Sequence, residues 1–323
     1  MPVRRPSAQI EIDGKRLSAA EAGLVSLRID LSHNTHDAAA FTFWNDSKFA
    51  GAQPGSKASV AIGEADSEGD VWSGEISTAR ATPAGVVLEG LSPTVELSRT
   101  RRSETYQNQT AGAIAKDLAG SVQIDKVQAD LQLPSYSIDS RRTVWAWLVD
   151  LARLTGSTVA TAADGSLRFV PASGGGASHT FRYGAELLAW NLGQLAKPDA
   201  LKVAPHGAGS SAGASKWHWL VHDPVGAGAD PTRVVGSFHT KDEADALAKA
   251  LGEQADRSAV YGDISVVGEP AVRPGDTVTL KDLPSGDPGP LRVRQVRHIL
   301  HTARGYVTEI TVESAGAAGG GVL

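Results

Sequence analysis

Alternating apolar and polar positions dominate the first hundred residues of the chain. The run VSLRIDL, from Val25 to Leu31, places its apolar side chains on one face and its polar side chains on the other. This period of two is the pattern of a strand with one buried and one solvated face. Six such strands are predicted, and their bounds are 9–12, 25–31, 39–44, 58–62, 71–79 and 86–91.

The pattern changes to helical spacing in the middle of the chain. Apolar residues from Val144 to Leu154 recur at intervals of three and four positions, which predicts an amphipathic helix over residues 141–155. Ser140 is placed to cap its N terminus, and Gly156 is placed to end it.

Two further elements complete this middle segment. A shorter helix is predicted at residues 111–119, between a capping Thr110 and a terminating Gly120. Two short strands, 157–161 and 167–170, flank an Asp-Gly turn and therefore predict a hairpin.

These changes of pattern predict three domains in a mainly β chain with an α/β insert, an α+β fold class. The first is a β domain over residues 1–102, and the second is the small α/β insert over 103–175. The third, 176–323, returns to β and contains a Gly/Ala-rich loop at 204–232, a helix at 241–256 and a flexible C-terminal tail.

The composition is that of an ordinary globular protein, with 41% hydrophobic and 21% charged residues among 323. The formal charge of -5 disfavours a sequence-specific nucleic-acid binder, because such proteins need a clustered basic surface. The chain has no cysteine, which excludes disulfides, thiol nucleophiles and thiolate metal sites. We expect no membrane anchor, because the sequence contains no apolar run of about 18 residues.

A weak internal echo links the two β-rich segments. Stretches that begin at Gly55 and Gly275 both run through a strand, a polar loop, a second strand, a glycine-ended turn and a return strand. Three pairs of residues align at an offset of 220: Gly55 with Gly275, Ile76 with Val296, and Gly85 with Gly305. Two β domains of one design would produce this repetition.

Two histidines and four arginines lie in the strongly β-forming segment 290–314. His298 and His301 are three residues apart, which places them on opposite faces of a strand, so we do not expect them to share a metal ion. We expect the arginines on a solvated or interface surface rather than at a nucleic-acid site. They are Arg292, Arg294, Arg297 and Arg304.

A tryptophan-containing island lies within the Gly/Ala-rich loop. His218 and His222 have the i, i+4 spacing of a helical zinc site, but Trp219 stands where the glutamate of such a motif belongs. Glycine and proline also flank the segment, which disfavours a helix. Trp217 and Trp219 share one face of an extended chain, and we interpret them as packing or interface residues.

The sequence predicts no catalytic group. The GSSAG pentapeptide around Ser211 matches G-x-S-x-G, but a nucleophile elbow needs a strand before it and a helix after it. Small loop residues surround this one, so a chance match is the preferred interpretation. Phosphate-binding glycine motifs and convincing carboxylate pairs are also missing from the sequence. We therefore expect no enzyme, no cofactor and no metal.

The order of several pieces resembles one known family. They are VWSGEI at 71–76, the helix segment SIDSRRTVWAWLVDLARLTG at 137–156, PGDTVTL at 274–280, and an ending with His298 and Gly305-Tyr306-x-Thr308. The series resembles the hub proteins of contractile tails, namely the phage late control gene D family and the N-terminal part of the VgrG spike proteins.

This resemblance implies a structural baseplate hub. Two tube-protein-like β-barrel domains would flank the small α/β domain, and three chains would form a ring of six barrels. The ring would join the six-fold inner tube protein to a three-fold spike, which we expect to be a separate protein, among other baseplate proteins. The hub would be made in the cytoplasm and assembled into a phage tail or injection-system particle. The aligned hairpin residues and Tyr306 would be structural.

Two other interpretations stay open at this point. A hydrolase or carbohydrate-acting enzyme would use Ser211 or a carboxylate pair, and it predicts a Ser–His contact or a perturbed acid in a deep pocket. A monomeric β-rich binding module would use Trp217 and Trp219, and it predicts a monomer in solution. The hub instead predicts self-association.

Overall fold

The computed structural model describes residues 6–65, 67–172, 176–195, 202–210, 217–221, 231–235, 241–258 and 260–315. The first β-rich segment contains β1 (Pro6–Ile12), β2 (Lys15–Ser18), β3 (Leu24–Ser32), β4 (Ala38–Phe43), β5 (Lys57–Glu64), β6 (Ser67–Thr82) and β7 (Gly85–Leu91). The middle segment contains β8 (Glu104–Thr110), β9 (Ile124–Val127), β10 (Gln132–Ile138), β11 (Ser157–Thr161) and β12 (Leu167–Pro171).

The last segment contains β13 (Ser178–Arg182), β14 (Leu187–Gln194), β15 (Lys202–Ser210), β16 (Trp217–Val221), β17 (Pro231–Val235), β18 (Val260–Val267), β19 (Thr277–Lys281), β20 (Leu291–His301) and β21 (Gly305–Ser314). The helices are α1 (Glu96–Arg99), which follows a 3₁₀ turn, α2 (Ala111–Ala119), α3 (Val144–Thr155) and α4 (Lys241–Arg257). The fold is therefore mainly β.

One thirteen-stranded sheet contains the seven strands of the first segment and six strands of the last segment. Its main path runs β14-β18-β21-β20-β3-β4-β7-β6-β5-β1-β2, and β19 pairs with both β20 and β13 beside this path. The antiparallel pairing of β3 with β20 joins the two segments. The expected mainly β fold is confirmed, but the two expected tube-protein-like β-barrel domains are not seen as closed barrels, because the described outer strands form one open sheet.

A single hydrophobic core lies behind this continuous sheet. Leu27 and Ile29 on β3 are completely buried, as is Val296 on β20, and side chains of both segments belong to one packed cluster. Separating β3 from β20 would expose these apolar surfaces and two strand edges to water. The two segments thus stabilise one another.

The middle segment has its own core. Helices α2 and α3 pack against each other and against β11 and β12, and they bury Ile114, Leu148 and Phe169 completely. A hairpin contact attaches this insert to the large sheet: Asn34, after β3, donates its backbone N–H to the Val159 carbonyl at 2.7 Å. The Asn34 side-chain oxygen accepts from the Val159 N–H at 3.1 Å.

The two outer segments repeat one arrangement of six strands. In the first unit the neighbours run β3-β4-β7-β6-β5-β1, and in the second unit they run β14-β18-β21-β20-β19-β13. Each strand of the first unit thus has a counterpart in the second. The units differ at one end, since β1 is antiparallel to β5 whereas β13 is parallel to β19.

The turn before the central hairpin is also repeated. Gly55 and Gly275 have nearly equal positive φ angles of 97° and 96°, in a region that glycine adopts without steric cost. Each donates its N–H to a central strand at 2.8 Å, Gly55 to the carbonyl of Ile76 and Gly275 to that of Val293. The sequence similarity at an offset of 220 residues is therefore matched by the same backbone conformation at Gly55 and Gly275.

The remaining echo positions lie at matching places of the two units. Gly85 begins β7 and Gly305 begins β21, each as the return strand of its hairpin. Ile76 and Val296 are both completely buried on the central strands. Tyr306, the second residue of β21, is buried where Val86 lies in β7.

The predicted helix at residues 111–119 is confirmed, but α3 begins later than its sequence pattern indicates. Thr143 rather than Ser140 is the N-cap, and its Oγ1 accepts from the Ala146 N–H at 3.3 Å. Arg141 instead contacts Asp139 through both its backbone and its guanidinium group. The helix ends as expected at Gly156, which has a φ of 64°.

The region 204–232 was predicted as a loop and instead contains strands. β15 pairs antiparallel with β16 and parallel with β17 in a separate three-stranded sheet, and α4 packs near β15. Glycine-rich sequence has a low intrinsic preference for strands, but the preference depends strongly on neighbouring strands. Local pairing partners here outweigh composition.

The cap of α3 generates a stability prediction. Thr143→Ala removes the hydroxyl that accepts from the helix N terminus, and it should lower the free energy of unfolding by about 1 kcal/mol. Ser140→Ala is the matched control and should change that free energy by less than about 0.5 kcal/mol. Urea denaturation measures both, and equal effects of the two substitutions would contradict the assigned cap.

Candidate functional site

The junction of β3 and β20 has a charged outer face. Arg297 on β20 donates its Nε to Asp30 on β3 at 2.6 Å, and Arg28 lies 3.0 Å from the same carboxylate. The Asp30 carboxylate raises the pKa of Arg297 through a hydrogen bond. Arg297 is half-exposed, so this pair contributes modestly to stability. The pair lies across two paired strands and helps to fix their register, which is a structural role.

The inner face of the junction buries His298 completely. Its Nδ1 lies 2.8 Å from the Tyr306 hydroxyl and 3.3 Å from that of Thr308. Burial, together with nearby Arg273, lowers the pKa of His298 to about 3, so the imidazole is neutral at physiological pH. Thr308 in turn accepts from the Glu269 backbone N–H at 2.9 Å. His298 therefore links the hairpin β20–β21 to the loop after β18.

The sequence predicts a solvated or interface surface for the four arginines, and Arg292 is not solvated in the single chain. It is buried, and its Nη1 donates to Glu313 Oε1 at 2.8 Å. It points away from the core-facing Leu291 and Val293, to the same face as its partner Glu313. On that face His33 lies 3.3 Å from the Arg292 guanidinium, and Arg257 of α4 lies 3.7 Å from Glu313. Arg294 is the residue at a bulge in β20 and is exposed.

A cationic cavity of about 500 Å³ lies between the insert and the second unit. Arg168, Arg273, Arg292 and His33 line it together with Asp276. Burial, and then Arg292 and Arg168, lowers the pKa of His33 to about 3. Arg273 donates to the β6 backbone carbonyls of residues 70 and 71 at 2.7 and 2.6 Å. The Arg273 guanidinium therefore connects the second unit to β6 of the first unit.

One acid in the described chain is strongly perturbed. Asp37 is 3% exposed, and burial raises its pKa to about 8. Its carboxyl accepts from the Ser32 N–H at 3.2 Å, across the turn between β3 and β4. Sequence reasoning missed Asp37, because no local pattern distinguishes a buried turn aspartate from an exposed one. The backbone carbonyl of Asp37 also accepts from the Ser92 N–H at 2.9 Å, so these contacts are those of a structural turn.

The other candidates from the sequence are only partly visible. Ser211 and His222 lie outside the described residues. Trp217, His218 and Trp219 belong to β16, and their side chains also lie outside what the structure describes. Within the described ranges, no group of three histidine or carboxylate side chains is arranged to hold a metal ion. No helix of those ranges is long and apolar enough to cross a membrane.

Several strand edges have no hydrogen-bonded neighbour in the described part of the chain, and two of them correspond to the edges that are joined in the pairing of β3 with β20. One is the outer edge of β14, which pairs only with β18. The other is the edge of β6 that faces β5, from Ser77 to Thr82, because β5 pairs only as far as Glu75. Open edges of this kind are templates for pairing with another chain.

Large apolar side chains are exposed beside the edge of β14. Leu188 is 53% exposed and Leu195 is 48% exposed. Tyr183, before the strand, and Tyr261, on the neighbouring β18, are exposed to a similar degree. An apolar group around an open strand edge is typical of a protein–protein interface. We therefore regard the two edges as the candidate functional surfaces.

The fold is shared with solved proteins. A tail protein from Neisseria meningitidis MC58 matches with a TM-score of 0.72 and 16% identity over 96% of each chain. The 43 kDa tail protein of prophage MuSo2 from Shewanella oneidensis matches with a TM-score of 0.69 and 15% identity over 96% of this chain and 98% of the other. No protein-family model and no curated protein matches the sequence.

A third solved structure comes from a secretion system. The E. coli c3393 protein is described as a component of the type VI secretion system that is structurally similar to the T4 bacteriophage tail proteins gp27 and gp5. It matches with a TM-score of 0.61 and 12% identity over 94% of this chain and 76% of the other. At these identities the comparisons establish a common fold.

The buried pair of Arg292 and Glu313 generates a second prediction. Glu313→Gln leaves the Arg292 charge buried without its carboxylate, and it should lower the free energy of unfolding by about 3 kcal/mol. Arg294→Gln alters the exposed arginine two residues away and should change it by less than about 0.5 kcal/mol. Urea denaturation measures both, and a small effect of Glu313→Gln would contradict the importance of the pair.

The neutral state of His298 generates a pH prediction. An imidazole in the unfolded chain has a pKa near 6.5, so below that pH the unfolded state binds a proton that the folded state excludes. The stability due to neutral His298 is present above pH 6.5 and is lost as the pH falls toward 3. From pH 7 to pH 5 this loss amounts to about 2 kcal/mol.

His298→Asn tests this assignment. The substitution lowers stability at every pH, but the decrease in the free energy of unfolding between pH 7 and pH 5 should be about 2 kcal/mol smaller than in the unchanged protein. Urea denaturation at the two pH values measures the difference. An equal decrease in both proteins would contradict a neutral, buried His298.

Proposed function

We propose that this chain is a structural hub protein of a contractile tail, in a phage or in a contractile injection system. Three copies form a ring that joins a six-fold inner tube protein to a three-fold spike carried by a separate protein. The chain is made in the cytoplasm and assembled with these proteins and other baseplate proteins into the particle. It acts through geometry and buried area rather than through catalysis.

The observation that carries this proposal is the six-stranded unit that occurs twice in the chain. Three copies of a chain with two similar units present six similar surfaces around one axis, while the chain itself repeats only three times. Such a ring can contact six identical subunits on one side and a three-fold partner on the other. Adaptation between the two symmetries is thereby encoded in the internal repeat.

The comparisons support the same proposal. Proteins named as tail proteins share this fold over nearly the whole of both chains, and a component of a type VI secretion system shares it over most of its length. A hub of a phage tail or of an injection system fits a fold that tail proteins and a type VI secretion component share. Open edges of the large sheet would be paired between copies in the ring.

The perturbed groups also favour a structural role. His298 and Asp37 have strongly shifted pKa values because they are buried, and each contacts its own hairpin or turn. Shifted pKa values of this origin accompany structural burial as well as catalysis. Both groups are enclosed within the fold and contact its own strands and turns, which fits a structural role better than turnover.

The solution mass of the purified chain tests the proposal. We expect light scattering coupled to size exclusion to give three times the 33.6 kDa of one chain, because six open edges are paired in a ring of three. The mass should stay constant on dilution into the micromolar range. A monomeric mass at every concentration would contradict the proposed trimer and favour a monomeric binding module.

A further inference from the structure

We infer that copies of this chain join by strand pairing, with the outer edge of β14 in one copy antiparallel to the open edge of β6 in the next. Leu192 then lies opposite Ala79, and Asn191 lies opposite Arg80. The inference rests on the proposed function, since it specifies the surface through which the trimer forms. It adds a register that can be tested residue by residue.

The template for this junction is present within one chain. The edge strand β3 of the first unit pairs antiparallel with the central strand β20 of the second unit. The register runs from Ser32 opposite Gln295 to Ser26 opposite His301. Because the units repeat one arrangement, the next junction around a ring should join β14 of the second unit to β6 of another first unit.

β14 is the counterpart of β3 in detail. Each begins with a bulge after its first residue and then pairs antiparallel with the following strand of its unit, β4 or β18. Alignment of the bulges matches four pairs of residues: Leu24 with Leu187, Ser26 with Ala189, Leu27 with Trp190, and Ile29 with Leu192. A bulge at the same place is a specific structural marker.

β6 is the counterpart of β20. The central strand β20 uses one edge for β21 and the opposite edge first for β19 and then for β3. β6 likewise uses one edge for β7 and the opposite edge for β5, but its last residues leave that edge open. The hairpin of β6 and β7 pairs Ala79 with Leu88, and the hairpin of β20 and β21 pairs His298 with Thr308. Counted from the hairpin turn, these are the same rung, so Ala79 is the counterpart of His298.

Side-chain burial agrees with the missing neighbour. Leu27 and Ile29 are completely buried under the junction with β20, whereas their counterparts Trp190 and Leu192 are only partly buried. Ala79 points to the same face as the buried Leu88, but it is exposed. Pairing β14 with β6 would cover all of these apolar groups.

The sizes of the facing side chains are complementary. In the inferred register the large Trp190 lies opposite Ala81, and Leu192 lies opposite Ala79. Tyr183 packs edge-on against Trp190 with ring centroids 5.1 Å apart and is itself 47% exposed. Small residues on one edge and large ones on the other favour close packing between the strands.

A second copy of the chain is the occupant that these observations favour. The edge that completes β14 exists in the chain itself, with an internal junction as its precedent. Because β14 and β6 are different surfaces, the contact is head-to-tail, and it forms a closed ring when the rotation between copies divides a full turn. If each unit turns the ring by sixty degrees, one chain of two units covers a third of the circle, and three chains close it.

Cysteine cross-linking of the full chain tests the register, and the absence of native cysteine makes the readout clean. One variant carries Arg80→Cys with Asn191→Cys, and a second carries Ala79→Cys with Leu192→Cys. Successive rungs of an antiparallel ladder alternate between wide and narrow Cα separations, so one of the two variants has the spacing that a disulfide prefers. Mild oxidation and non-reducing electrophoresis detect the products.

The controls are matched to these variants. Two of them, Arg28→Cys with Ile299→Cys and Ile29→Cys with His298→Cys, place the two pairs at the equivalent positions of the internal junction, and the one with the favourable spacing should close a disulfide within the monomer. Arg80→Cys with Leu192→Cys shifts the pairing by one residue and points the two thiols to opposite faces. This shifted variant should form few cross-links.

The expected result is covalent dimers and trimers from at least one register-matched variant, at least ten-fold above the shifted control. A trimer by light scattering without these cross-links, while the internal control closes, would overturn the strand pairing and leave the proposed hub intact. A monomer that forms no cross-links would overturn both the pairing and the trimer.

Discussion

The antiparallel pairing of β3 with β20 is the contact on which the rest of the structure depends. It joins residues separated by more than 260 positions in sequence, and it merges two β-rich segments into one sheet with one core. The α/β insert lies between these segments in sequence and is fixed to the sheet through Asn34, directly after β3. Loss of this pairing would expose apolar surface on both segments and release the insert from its anchor.

The same contact explains how a repeated unit can form an assembly. Each unit has an edge strand, β3 or β14, and a central strand with a stretch of edge free of its own unit, β20 or β6. Within one chain only β3 and β20 pair with each other. The unsatisfied pair, β14 and β6, is the one that a neighbouring copy can complete. In the inferred ring, one type of junction would occur both within and between chains, so this ring would need no separate oligomerisation domain.

The sequence predicts the local elements of this fold better than their assembly. The strands of the first segment and the helix at 111–119 follow from periodicity and capping residues. The alternation correctly places Arg292 on the face opposite Leu291 and Val293, but it does not indicate that this face is covered at Arg292, because the covering residues, such as His33, are distant in sequence. The start of α3 was misplaced because Ser140 and Thr143 are both good caps, and tertiary contacts select between them.

The junction and the strands of 204–232 are harder to predict for a different reason. Pairing of β3 with β20 depends on the shape of two completed units, and neither strand carries a local signal for its partner. The 220-residue echo did indicate the equivalence of the units, because a glycine with positive φ is required at the same turn in each. Glycine-rich composition alone hides the strands β15 to β17, since their stability comes from one another.

Single-particle electron microscopy of the purified chain tests the central claim most directly. The account predicts closed rings with six similar β lobes and an overall three-fold symmetry imposed by the alternating units. Density between the second unit of one copy and the first unit of the next should resemble the junction inside each chain. Isolated particles of one chain, or rings with another number of lobes, would contradict the account.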